Sequence, residues 1–85
     1  MATATAQPSP NPNAMRFQLD TRLTGTMSIN SAEAAQGNQF AEKVFAVEGV
    51  TSIFGVNDFV TVTRRPDADW DPIIAAVQEA AAEHL

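Results

Sequence analysis

Residues Val50 to Thr63 constrain this chain more than any other stretch. Two runs, Val50-Thr51-Ser52-Ile53-Phe54-Gly55-Val56 and Phe59-Val60-Thr61-Val62-Thr63, flank the polar pair Asn57-Asp58. β-branched and aromatic side chains suit a pleated, half-buried backbone, and two such runs around a two-residue polar turn read as a β-hairpin. Asn tolerates the positive φ of such a turn well, and Asp less well. A lone hairpin is marginal in water. The rest of the chain must supply its partners.

Alternation predicts two more strands upstream. Met15-Arg16-Phe17-Gln18-Leu19-Asp20 puts Met15, Phe17 and Leu19 on one face, and Thr26-Met27-Ser28-Ile29 turns Met27 and Ile29 inward. Thr24-Gly25 can turn between them, so the pair is expected to be an irregular hairpin. A helix is expected from about Ala32, capped by Asn30 or Ser31. Gly37-Asn38 weakens it, and Asn38 can start it afresh. Phe40, Val44 and Val47 then recur at i, i+4 and i+7 beside Ala41. Gly49 stands where a left-handed residue would end the helix.

The last helix opens on Asp69 as N-cap, with Asp71 in its first turn, where the dipole favours negative charge, and Pro72 beside it. Trp70, Ile73, Ile74, Val77 and Ala81 form its apolar stripe. The predicted fold class is α+β: a two-layer β-β-α-β-β-α domain with a four-stranded, mainly antiparallel sheet and two helices on one face. Residues 11–85 are expected to form this domain. Residues 1–10, uncharged and ending in alternating prolines, are expected to be a flexible tail.

Composition narrows the function. Eighty-five residues fit one domain, and a 45% hydrophobic content is globular. No cysteine is present, which removes disulfides, thiolate metal sites, cysteine-ligated clusters and a cysteine nucleophile. A net charge of −5 disfavours nucleic acid and anionic membrane surfaces as partners. Neither a secretory signal, a transit peptide nor a membrane span is recognisable, so the expected location is the cytoplasm.

No chemical constellation emerges. Asp67, Asp69 and Asp71 alternate like the start of a calcium loop, but Pro72 and Gln78 occupy its required glycine and glutamate positions. His84, the one histidine, sits beside the C-terminus of a helix, where it suits the dipole better than a catalytic or zinc site. The four glycines match neither dinucleotide nor P-loop spacing. Gly55, inside a strand, reads as a bulge or a close backbone approach. Arg64 and Arg65, with Arg16 and Arg22, would form a basic patch if their strands were neighbours, or else are solvated charge at a strand edge. Of Phe54 and Phe59, one is expected in the core and the other as a contact anchor.

Several segments in order resemble one family, the N-terminal domain of Nfu/NifU-type iron–sulfur scaffold proteins. Pro10-Asn11-Pro12-Asn13-Ala14-Met15-Arg16-Phe17 resembles its opening, Val44-Phe45-Ala46-Val47-Glu48-Gly49-Val50 its helix end, Ile53 to Thr63 its hairpin, and Asp69-Trp70 the start of its last helix. The resemblance runs from Pro10 to the end and implies two strands and a helix, twice over. It also implies that the cluster belongs to a separate C-terminal domain bearing Cys-x-x-Cys, which nothing in these 85 residues matches.

The expected function is therefore a non-enzymatic accessory domain in iron–sulfur cluster assembly or delivery, without a cofactor, catalytic residue or metal ligand of its own. Its expected partners are assembly or client proteins, bound by a monomer. Candidate partner-binding residues are Asn11, Asn13, Arg16, Phe54, Asn57, Asp58, Phe59, Arg64 and Arg65. Trp70, which the family motif also covers, is expected to fill the core. The alternatives are a weak iron or other metal site built from Asp58, Asp67, Asp69 and Asp71, and self-association through a strand edge.

Overall fold

In a computed structural model of the chain, which describes residues 3–7, 13–23, 25–31 and 33–85, the hairpin forms as its residues dictate. Strands β4 (Val50–Val56) and β5 (Phe59–Arg64) pair antiparallel across Asn57-Asp58, and Asn57 takes φ 58°. One irregularity lies between Val50 and Ser52, two residues of β4 facing Arg64 and Thr63 with Thr51 as the extra one. The bulge is therefore at Thr51 and not at Gly55. Nor does another backbone approach Gly55; it is buried and crowded by side chains, a Cβ there coming 2.9 Å from Leu23 Cδ1 and 3.3 Å from Val60 Cγ2.

Three further strands complete the sheet: β1 (Ala4–Gln7), β2 (Ala14–Leu19) and β3 (Met27–Ile29). The order is β1-β2-β5-β4-β3, antiparallel throughout, so the sheet has five strands where four were expected. The additional strand, β1, lies within the segment expected to be a tail. Its Ala4 and Ala6 stand opposite Leu19 and Phe17, and pairing to β2 holds a stretch whose own β-propensity is weak. Residues 1–2 and 8–12, which include Pro8, Pro10, Asn11 and Pro12, lie outside the described residues, as do Thr24 and Ala32.

The expected hairpin between β2 and β3 does not form. Leu19 N–H donates to Asp58 O at 2.8 Å and Leu23 N–H to Asn57 O at 2.6 Å. The connection is thus tied across the β4–β5 turn, which carries β3 to the far side of β4 instead of back along β2.

Helix α1 (Gln39–Phe45) starts later than Ala32, because residues 33–37 form turns. Gly37 has φ +88°, and Asn38 caps the restarted helix by accepting from Ala41 N–H at 3.1 Å. Gly49, at φ +102°, lies beyond the C-cap Ala46 and serves the turn into β4. Helix α2 (Trp70–His84) has Asp69 at its N-cap, although that side chain makes no capping bond.

Phase decides the core. Phe17 and Leu19 of β2, Ile29 of β3, Ile53 of β4, and Val60 and Val62 of β5 are buried on one face of the sheet. Phe40, Ala41 and Val44 of α1 meet Ile73, Val77, Ala80 and Ala81 of α2 above them. Each large side chain contributes about 1.5–3 kcal/mol by leaving water. Trp70 is half-buried at the edge of this core rather than its filler, with the Arg64 guanidinium carbon 5.1 Å from its ring centroid. Both helices lie over this one face, and among the described residues no helix or strand covers the other, the open face.

Candidate functional site

Strand alternation that buries Phe17, Ile53 and Val60 sends their neighbours to the helix-free face. Arg16 and Gln18 of β2 stand opposite Thr61 and Phe59 of β5, which in turn face Phe54 and Val56 of β4. Ser28 of β3 and Thr5 of β1 extend the same surface outward. Phe54 is 44% exposed, and among the described residues no other large hydrophobic side chain is classed as exposed. Phe59, half-buried, lies under Arg16, whose guanidinium carbon is 4.1 Å from the ring centroid. Arg16 also donates to Gln18 Oε1 at 3.4 Å. A cation held on an aromatic ring beside an exposed phenylalanine is a surface suited to protein contact.

Neither phenylalanine enters the core: Phe54 and Phe59 share the open face, and the interior position beside them is Ile53. Arg16, Phe54 and Phe59 are thus the expected contact residues that the fold brings together. The others divide between the two ends of the hairpin. Asn57 and Asp58 form its turn, and their carbonyls accept from Leu23, Leu19 and the Gln18 side chain, which gives both a structural reason to be there. Asn13 accepts from Arg64 N–H at 2.8 Å at the opposite end. Asn11 lies outside the described residues.

The basic patch does not assemble. Arg64 falls in phase with Val60 and Val62, so it turns to the helix side, donates to Ala68 O and lies over Trp70. Arg65 pairs with Glu48 at 3.5 Å and Asp67 at 3.6 Å. Arg22 sits in the connection beyond β2, on the rim of an open cleft of about 800 Å³ near Met27, Phe40 and His84.

The carboxylates proposed for a metal do not converge either. Asp58 is at the hairpin turn, and Asp67, Asp69 and Asp71 lie past the far end of β5, about 20 Å of strand away. Among the described residues, no three His, Cys, Asp or Glu side chains come together as a metal site would need. No described helix is long and apolar enough to cross a membrane.

Sequence reasoning missed Val56, Gln18 and Thr61 as members of the open face. Their signal was the alternation opposite each buried residue, hidden in β4 by the unbroken run Ile53-Phe54-Gly55-Val56.

The family described as "Scaffold protein Nfu/NifU N terminal" matches residues 4–85. The chain belongs to this family. Among its relatives, NifU-like protein 4, mitochondrial, of Arabidopsis thaliana is 32% identical over 79 residues, covering 86% of this chain and 28% of that protein. Conserved virulence factor C of Staphylococcus aureus (strain MRSA252) is 33% identical over 76 residues, covering 87% and 20%. The Nfu/NifU N-terminal domain described here therefore spans well under a third of these curated relatives. A crystal structure of protein SAV1430 from Staphylococcus aureus superposes with a TM-score of 0.75 at 27% identity, covering 92% of this chain and 96% of that one. The solution structure of a NifU-like protein from Saccharomyces cerevisiae shares the fold, with a TM-score of 0.80 at 21% identity over 98% and 77%.

Proposed function

We propose that this Nfu/NifU N-terminal domain is a non-enzymatic interaction module in iron–sulfur cluster assembly or delivery, and that these 85 residues do not hold the cluster. Family membership supports the pathway. The observation that carries the binding role is the open sheet face, where Phe54 is 44% exposed beside the Arg16–Phe59 pair. Phe54 does not stand alone: Val56 and the Arg16-covered ring of Phe59 lie on the same face, and a contiguous apolar patch is the kind of surface a partner covers. Cluster-holding would require soft thiolate donors, which the sequence does not contain.

Affinity capture from lysate under anaerobic conditions tests the pathway. Proteins that assemble or contain clusters are expected among those enriched, and their complete absence would count decisively against the proposal. Calorimetric titration with ferrous iron tests the carboxylate alternative. No saturable binding is expected, and a saturable isotherm would restore that reading.

A further inference from the structure

The ten acidic residues are distributed unevenly. None lies on any of the five strands; Asp20 and Asp58 sit at strand ends, and the rest occupy the helices, their flanks and the turn that precedes them. The strands carry only Arg16 and Arg64, a charge of +2. Residues outside the strands therefore carry −7, since −5 − 2 = −7. Ion pairs follow the same division: Lys43 with Glu79 and Glu83, and Arg65 with Glu48 and Asp67, all belong to the helix side. Arg64 also turns to that side. On the open face Arg16 is the one charged residue carried by the strands, with Asp20 just past the end of β2, in phase with Arg16 and Gln18 and accepting from Thr3 N–H at 2.8 Å; no carboxylate pairs with Arg16 among the described residues.

We infer that the open sheet face docks an acidic, apolar segment of a partner protein, a carboxylate set beside an aromatic or aliphatic side chain. This rests on the protein-binding reading above and adds the partner's chemistry. Arg16 has five N–H donors, of which Gln18 engages one, and the Phe59 ring beneath holds the guanidinium in place. A carboxylate can be forked there at little ordering cost. Phe54 and Val56 of β4 lie one strand beyond Phe59 and two from Arg16, and accept the neighbouring apolar group. Charge complementarity also favours one orientation: a partner carboxylate is drawn to Arg16 and repelled by Asp20 at the end of β2 and by the net negative helix side.

Amide shift mapping of the ¹⁵N-labelled chain tests this with two blocked peptides, Glu-Phe-Glu-Leu-Glu-Phe and its counterpart with Lys for each Glu. The acidic peptide is expected to move the amides of Arg16, Gln18, Phe54, Val56, Phe59 and Thr61, leaving the helices still. Arg16→Gln weakens its binding about fivefold, and Arg16→Glu about tenfold with preference passing to the basic peptide. Arg16 is exposed, so neither change should shift the melting temperature appreciably, which checks that each variant is folded. An acidic peptide that leaves the sheet unmoved, a basic peptide that binds it equally well, or unchanged affinity in Arg16→Glu would overturn the inference. So would the same amides shifting on concentration alone, which would make the occupant a second copy. Capture of cluster-assembly proteins alongside any of these failures would leave the pathway standing and remove only the partner chemistry.

Discussion

Gly49 and Gly37 both adopt left-handed backbone, but for different neighbours. A Cβ on Gly49 would sit 2.4 Å from Ala68 Cβ, whereas one on Gly37 would meet nothing within 4 Å. Gly37→Ala should therefore cost about 1 kcal/mol, from backbone strain alone. Gly49→Ala adds overpacking and should cost about 2–4 kcal/mol. Urea denaturation midpoints check the contrast, and equal costs would refute the assigned contact. The two N-caps make a second pair. Asn38 accepts from Ala41 N–H, so Asn38→Ala should cost about 1 kcal/mol, while Asp69, which makes no capping bond, should lose only a few tenths from its dipole contribution when changed to Ala.

At the level of elements, α1 and α2 are linked across their outer surfaces by Lys43. Its ammonium donates to Glu83 Oε2 at 2.6 Å, and that hydrogen bond, with the nearby Glu83 and Glu79 charges, raises the Lys43 pKa against the opposing effect of desolvation. The same hydrogen bond holds the Glu83 carboxyl below its ordinary value. Glu83's contribution to stability is thus complete above the ordinary carboxylate range and is lost as pH falls through its lowered value. Lys43's is complete below the ordinary lysine range and is lost as pH rises through its raised value. The pair is solvent-exposed, so the effect is small and screened by salt. Melting temperatures across pH should show both limbs flatten in Lys43→Met and in high salt; limbs unchanged by the substitution would assign them elsewhere.

Elements with local signals were legible in the residues. The β4–β5 hairpin followed from β-branched runs around a turn residue suited to positive φ, and α2 from its acidic start and i, i+3, i+4 stripe. Strand β1 was not legible, because Ala-Thr-Ala-Gln has little strand character and is held by β2 and by Gln78, whose side chain donates to Ala4 O at 3.4 Å. Pairing partners were equally hidden: alternation identified β2 and β3 as strands, but the hydrogen bonds of Leu19 and Leu23 to the distant turn decide which neighbours they take. The candidate site was legible as residues rather than as a surface. Arg16, Phe54 and Phe59 were singled out, yet only the register across β2, β5 and β4 shows that they stand together, and that Arg64 and Arg65 do not join them.

Over the whole molecule, the helix layer closes one side of the sheet and collects most of the acidic charge, leaving Arg16 as the one charged residue on the strands of the other side, with Asp20 at the end of β2. Such an uneven distribution of charge makes the open face selective in what it can meet. The most direct test of that claim is amide shift mapping of the labelled domain against a full-length partner recovered by capture. The account predicts changes confined to β2, β4 and β5 on the open face, with the outer surfaces of α1 and α2 unmoved. Changes centred on the helices, with Phe54 and Arg16 unaffected, would contradict it.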